Sequence, residues 1–248
     1  MTTPQTSAPS KQVQLFVTCL VDAFYPEVGL ATVNILEHQG FEVGFPLNQT
    51  CCGQPAFNAG YWDEARAMAR YSLEVLSQTE GPIIIPSGSC ADMIVHHYPE
   101  ILEDDPEYRA RLHDISQRTF EFTQFLVDEV GLSDVGAHCQ GCATYHPSCH
   151  GLRNLNLRRQ AKTLLEHVAG LRLVDLPEAE ECCGFGGLFA VKMSDISGAM
   201  LDRKLNHVIQ SGAEILVGSD VSCLMHMAGG LRKRNNPIQV KHIAEILI

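Results

Sequence analysis

Glu181-Cys182-Cys183-Gly184-Phe185-Gly186-Gly187 is the stretch on which the fold turns. Its core, two adjacent cysteines followed by glycine, occurs once before as Cys51-Cys52-Gly53. The cysteines around each pair keep the same register. Cys19 stands 32 residues before Cys51, and Cys149 stands 33 before Cys182. Cys90 follows Cys52 by 38 residues, and Cys223 follows Cys183 by 40. The two sets are offset by 130 to 133 residues throughout and use eight of the ten cysteines. Such a duplication predicts two similar halves. We place a first domain at residues 13–135 and a second at 136–248, joined near Gly136. Residues 1–12 are polar and read as a disordered tail without the apolar core of a signal peptide.

Each cysteine follows a strand-like segment. In the first half, apolar runs at 13–18, 41–45 and 83–85 predict strands leading to Cys19, Cys51-Cys52 and Cys90. Between them, 26–39 and 63–76 carry helical spacing, the first closed by Gly40. Residues 91–131 read as three helices interrupted near Pro99 and Pro106. The second half repeats the plan, with strands at 143–146, 171–176 and 214–217 leading to Cys149, Cys182-Cys183 and Cys223. Helices are expected at 157–168 and 194–210, and a last strand at 238–240. Strands alternating with helices imply an α/β fold, with a mostly parallel, helix-flanked sheet in each pseudo-symmetric half. All exits from parallel strands emerge on one edge of the sheet, so the cysteines of each half should meet in space.

The chain of 248 residues is 45% hydrophobic and 19% charged, enough to bury a sizeable core. Its formal net charge of −11 argues against nucleic acid as a partner, since phosphate binding needs a basic face. The small basic clusters at Arg153/Arg158/Arg159/Lys162 and Arg232/Lys233/Arg234 read as solvated helix faces. The sequence holds no apolar run long enough for a transmembrane segment. Ten cysteines without a secretory signal point to the cytoplasm, where thiols stay reduced and serve metals or redox chemistry.

Four converging thiols per half suit a soft metal, either zinc or the iron of an iron–sulfur cluster. Zinc sites usually draw on C-x-x-C-type pairs, and neither repeat has one. Neighbouring cysteines diverge, which suits a cluster with separated iron atoms, and the glycine after each pair permits a left-handed turn. Cys139-Gln140-Gly141-Cys142 is a true C-x-x-C, but it has no counterpart in the first half. With His138 and His146 it could hold zinc or act as a redox pair, although an incidental local pair is the simpler reading. His146, His150 and His226 lie near the second cysteine set and could hydrogen-bond to cluster sulfurs or carry protons. Arg153 could meet a carboxylate, while Asp22, Gln54 and residues 87–89 flank the first set. On that contrast the first set reads as an electron relay and the second as the site that meets a small acid.

The duplicated pattern resembles the CCG or cysteine-rich domain found in heterodisulfide reductase and in the iron–sulfur subunit of glycolate oxidase. Longer strings are similar to the lactate-utilisation protein A family: Gln49-Thr50-Cys51-Cys52-Gly53-Gln54-Pro55, Pro86-Ser87-Gly88-Ser89-Cys90 and Ser148-Cys149-His150-Gly151-Leu152-Arg153. Ser222-Cys223-Leu224-Met225-His226 and Cys182-Cys183-Gly184-Phe185-Gly186-Gly187 agree with it too. The resemblance implies an iron–sulfur electron-transfer subunit in a multi-protein system oxidising L-lactate to pyruvate, with a ferredoxin-like iron–sulfur protein among its partners. It implies Cys19, Cys51, Cys52 and Cys90 as one ligand set for a 4Fe-4S-type cluster, and Cys149, Cys182, Cys183 and Cys223 as the other. Zinc could stand in. The broader pattern ends each repeat with C-x-x-C, whereas Cys90-Ala91-Asp92-Met93 and Cys223-Leu224-Met225-His226 lack the last cysteine. Two other readings stay open, a heterodisulfide-type thiol reductase and a zinc-bound scaffold without redox activity.

Overall fold

The computed structural model describes residues 11–248, and the segment 1–10 lies outside them together with most of the expected tail. The chain forms two four-stranded, all-parallel sheets of the same topology. The first is ordered β2-β1-β3-β4, from β1 (Gln12–Leu15), β2 (Glu42–Gly44), β3 (Ile83–Ile85) and β4 (Thr119–Glu121). The second is ordered β6-β5-β7-β8, from β5 (His138–His146), β6 (Ala169–Val174), β7 (Ile215–Gly218) and β8 (Gln239–His242). Gln12, placed in the tail by the sequence, is the first residue of β1.

Both sheets are covered on both faces, and the central strands show why they read as unbroken apolar runs. Ile84 faces a core shared by the two halves, while Ile83 and Ile85 face an outer core under the helix Trp62–Leu76. β7 repeats the alternation, with Ile215 and Val217 inward and Leu216 outward. The shared core joins Val13, Ile35, Leu36, Phe122 and Phe125 of the first half to Ala143, Leu164, Leu165, Ile243 and Ile246 of the second. Helices Pro26–His38, Gln160–Glu166 and Ile243–Ile246 pack between the sheets. Helices Ser194–Gln210 and Val221–Lys233 cover the far side of the second sheet.

Several elements depart from the sequence expectation for local reasons. β4 falls inside a stretch expected to be helical: it has only Phe120 as an apolar residue, and its pairing with β3 defines it. Arg118 braces its start by donating to the carbonyls of Leu76, Thr79 and Gly81. Pro99 does not break its helix. The preceding turn Met93–His97 widens to a π turn, and the helical path from Gly88 runs on to Ile101. In the second half, helix 157–168 shrinks to Gln160–Glu166, and an unexpected short helix, Cys149–Arg153, begins at the cysteine. β5 extends back to His138 across a register shift and so takes in Cys139 and Cys142.

One carboxylate ties the halves together. Asp220 caps Val221–Lys233 by accepting from Ser222 N at 3.1 Å, and its other oxygen accepts from Ser89 N at 2.8 Å and Ser87 Oγ at 3.2 Å in the first half. Losing both the cap and the partner of a buried amide should cost Asp220→Ala about 3 kcal/mol in urea denaturation. A cost below about 1 kcal/mol, a cap alone, would deny the cross-half role.

Glu121, at the end of β4, is wholly buried, and burial lifts its pKa to about 7. In the unfolded chain an ordinary glutamate titrates near ~4.3. Between the two values the folded state keeps a proton that the unfolded chain releases, so stability falls as pH rises through that window. Glu121→Gln keeps an acceptor for Thr123 and Gln124 N–H and removes the titration. The variant should match the parent at pH ~4 and exceed it at pH ~8 by up to about 4 kcal/mol, at ~1.4 kcal/mol per pKa unit. Parallel pH profiles for the two proteins would refute the assignment.

Candidate metal centre in the cleft between the halves

All eight repeat cysteines follow strand exits on the same edge of their sheets. Cys19, Cys51-Cys52 and Cys90 follow β1, β2 and β3, while Cys149, Cys182-Cys183 and Cys223 follow β5, β6 and β7. Both sets open into one cleft of about 540 Å³ between the halves. The thiols of each set are mutual neighbours. Cys19 Sγ lies 3.6 Å from Cys51 Sγ, and Cys52 Sγ lies 3.4 Å from Cys90 Sγ. Adjacent cysteines therefore turn to different partners, as Cys182 does to Cys149 and Cys183 to Cys223. All ten cysteines are free thiols.

The loops are held by side chains that satisfy backbone left open at the strand ends. Gln49 accepts from Val17 N at 2.8 Å and donates to Leu15 O and Pro46 O, joining the exits of β1 and β2. Gln54 donates to Ser89 O at 3.0 Å, joining the paired cysteines to the loop of Cys90. Buried Tyr98 donates to Cys52 O at 2.9 Å. Ser87 caps the helix that carries Cys90, and Ser148 caps the one that begins at Cys149. In the second half Ser197 donates to Gly184 O at 2.7 Å, and Lys204 Nζ donates to the carbonyls of Glu178 and Ala179. The glycines after the pairs take φ of +84° at Gly53 and +89° at Gly184, a region closed to most side chains.

Crowding four thiols splits their acidities. Cys51 accepts from Cys19 and Cys52 and is held down to about 3, and Cys182, accepting from Cys149 and Cys183, is held down to about 2. Gly184 N adds a hydrogen bond to Cys182 Sγ at 3.3 Å. Cys19 and Cys149 are pushed well up by donating to those thiolates and by burial, as are Cys52 and Cys183. Each set can thus hold one thiolate readily, and ionising the rest calls for a cation among them. Soft-metal binding is the chemistry this donor set suits, with protons released as the metal enters.

The histidines separate into distinct roles. His146, at the end of β5, is buried with a ring nitrogen near Cys183 and Cys223. Burial and the nearby Lys204 push its pKa down to about 3, so the ring is neutral. His150 Nδ1 lies 2.5 Å from Asp92 Oδ2 in the first half. Burial opposes charge on His150, but Asp92 outweighs it and raises the pKa. Burial likewise works to raise the pKa of Asp92, yet bonds from His150, Asn154 and His96 hold it below the usual range. That network bridges the halves behind the cleft wall, and sequence spacing did not reveal it. His226 packs on Phe185, with Nε2 at 3.4 Å from Ser197 Oγ.

Arg153 does not face the cleft; its guanidinium donates to Glu180 O instead. Among the described residues no lysine or arginine lines the cleft, so the expected carboxylate partner is missing from the second set. Gln54, Ser87 and Ser89 do line it, whereas Asp22 does not. Cys139 and Cys142 sit toward the start of β5, and His138 is about 26 Å of strand from His146 at ~3.3 Å per residue, so these residues form no common site. Buried Lys204, which sequence reading passed over as a helix residue, is electrostatically coupled to all four thiols of the second set; burial lowers its pKa to about 8 against their pull.

The CCG cysteine-rich domain family matches the chain twice, over residues 13–95 and 143–228. The lactate utilization protein A of an Exiguobacterium species is 50% identical over 236 residues, covering 95% of this chain and 96% of the relative. That of Macrococcus caseolyticus is 49% identical over 237 residues, covering 95% and 96%. Among solved structures, a hypothetical protein from Helicobacter pylori shares the fold with a TM-score of 0.68 at 13% identity. That match spans 98% of this chain and 49% of the other, so this chain is about half its length. No described helix is long and apolar enough to cross a membrane. With both repeats matched and about half the residues shared across nearly its whole length, the chain belongs to the lactate utilization protein A family and is built on two CCG cysteine-rich domains.

Proposed function

We infer that the chain is an iron–sulfur electron-transfer subunit of a cytoplasmic multi-protein system that oxidises L-lactate to pyruvate. The observation that carries this reading is the convergence of two four-cysteine sets on one cleft. When bound, iron–sulfur clusters supply one-electron chemistry. Cys19, Cys51, Cys52 and Cys90 would hold one, and Cys149, Cys182, Cys183 and Cys223 the other. The divergent partners of adjacent cysteines support a group with metal atoms apart in space. Gly184 N–H, already donating to Cys182 Sγ, is the kind of hydrogen bond that tunes a cluster's potential.

Lactate oxidation itself falls to a partner in this reading, because among the described residues no lysine or arginine lines the cleft to orient a carboxylate. The exposed apolar side chains of Tyr61 and Val191 in its lining suit contact with a partner protein, such as a ferredoxin-like iron–sulfur protein. One observation favours a second reading. Sulfur separations of 3.4 and 3.6 Å approach the edge of a thiolate tetrahedron around one zinc, about 3.8 Å for Zn–S of about 2.3 Å. That spacing would suit a zinc scaffold.

Anaerobic purification followed by iron, sulfide and zinc analysis separates the two. Iron with matching sulfide is expected, and Cys52→Ser and Cys183→Ser should each lose about half of it, as one cluster in two. Zinc without iron in a strictly anaerobic preparation would establish the scaffold instead.

The glycines provide a second measurement. A Cβ on Gly184 would stand 2.7 Å from Ser197 O, a backbone atom, at φ +89°. One on Gly53 would meet only Met68 Cβ at 3.2 Å as its nearest neighbour, at φ +84°. Gly184→Ala should therefore lose most of the second set's metal, while Gly53→Ala loses less of the first. Equal retention in both variants would show that these turns do not position the thiols.

A further inference from the structure

His146 is 1% exposed, and neither of its ring nitrogens has a hydrogen-bond partner among the described residues. Each buried polar atom left in that state costs about 1–3 kcal/mol, so an orphaned imidazole calls for a partner. The groups it is aimed at are thiols. One ring nitrogen, Cys183 Sγ and Cys223 Sγ all lie within 4.8 Å of one another.

The first half shows that the fold does not need a histidine there. The repeat offset that matches Cys19 to Cys149 also matches Phe16 to His146, and Phe16 is equally buried, at 1% exposure. An apolar ring of similar size fills the first position without an orphaned polar atom. A second exchange accompanies the first. The buried positions Ala65, Ser72, Leu73 and Leu76 of the helix Trp62–Leu76 recur as Ser197, Lys204, Leu205 and Val208 of the helix Ser194–Gln210, which puts Lys204 where the first half has buried Ser72. The second half thus carries an imidazole and a cation where the first carries an aromatic ring and an uncharged hydroxyl.

We propose that His146 is a protein ligand of the second centre, its ring nitrogen binding the metal held by Cys183 and Cys223, whereas the first centre is bound by thiols alone. The proposal rests on the reading of the two cysteine sets as metal centres. Imidazole joins thiolate as a ligand on both iron–sulfur clusters and zinc, so the chemistry is shared by the two metals. The ring gains a partner, and Lys204 becomes the counter-charge to a centre that carries three or four thiolates.

The test uses the full chain, labelled with ¹⁵N-histidine and purified anaerobically, beside His146→Phe, which borrows the residue of the first half. Phe16→Tyr serves as a control for disturbing the same strand end. In the iron-loaded protein, pulsed EPR of the reduced centres should find a directly bonded nitrogen that disappears in His146→Phe while iron and sulfide remain. In the zinc-loaded protein, ¹⁵N NMR should move one histidine ring nitrogen to its metal-bound position, again lost in His146→Phe. A chelator should also strip about half the metal at least ~10-fold faster from His146→Phe than from the parent, and Phe16→Tyr should not share this defect. Metal retained in both sets without a bonded nitrogen would overturn the ligand and leave a hydrogen bond to sulfur. Failure to retain iron or zinc in either set would instead overturn the metal-centre reading, and the ligand with it.

Discussion

The carboxylate of Asp220 is the point through which both cysteine sets are positioned. One oxygen caps the helix that carries Cys223, and the other takes the amide of Ser89, the residue before Cys90. These are equivalent loops of the two repeats, so a single buried group fixes the fourth cysteine of each set. Charge-assisted bonds to backbone are short and directional, and here they act beside the shared apolar core that joins the halves. The shared core brings the sheets together, but apolar packing alone would tolerate sliding. The Asp220 bonds set which edge faces which, and hence the width of the cleft.

Parallel topology does the rest. Because every strand in both sheets runs the same way as its neighbours, thiols separated by more than 30 residues in sequence arrive at one place. The cysteine periodicity and the apolar runs made this legible in the sequence. Ile83-Ile84-Ile85 reads as a strand buried on both faces, and its side chains divide between two cores accordingly. β4 was not legible, since Thr119 and Glu121 are polar and the strand owes its existence to pairing. The wide turn Met93–His97 was hidden for a related reason: helix periodicity cannot register one extra residue that accommodates Pro99.

In the site, residue type could be read more surely than residue direction. The eight cysteines converge as their spacing implied, yet Arg153, close to Cys149 in sequence, turns outward to Glu180 O. His150 likewise turns to Asp92, a residue 58 positions away in the other half. Such orientations depend on which half packs behind the helix, and a repeat pattern within one half carries no information about that. Lys204 escaped notice because a lysine in an amphipathic helix normally faces water, and only the loop carbonyls of Glu178 and Ala179 make its burial tolerable.

The duplicated halves have therefore kept their backbone plan while diverging in the shell around the thiols. Four crowded sulfurs cannot all be ionised together in a low-dielectric cleft without compensation. At the matching positions the first half has Phe16 and Ser72, neither of which carries charge, so any metal there must carry the whole electrostatic burden itself. The second set has Lys204 within its field and a neutral imidazole at the strand end. A buried cation favours the more negative of two redox states, so equal groups placed in the two sets would differ in potential, with the second the easier to reduce. On the proposed function, two such centres facing one cleft would give electrons a preferred direction. The fold supplies the symmetry that brings the two cysteine sets together, and the exchanges at His146 and Lys204 supply the asymmetry between them.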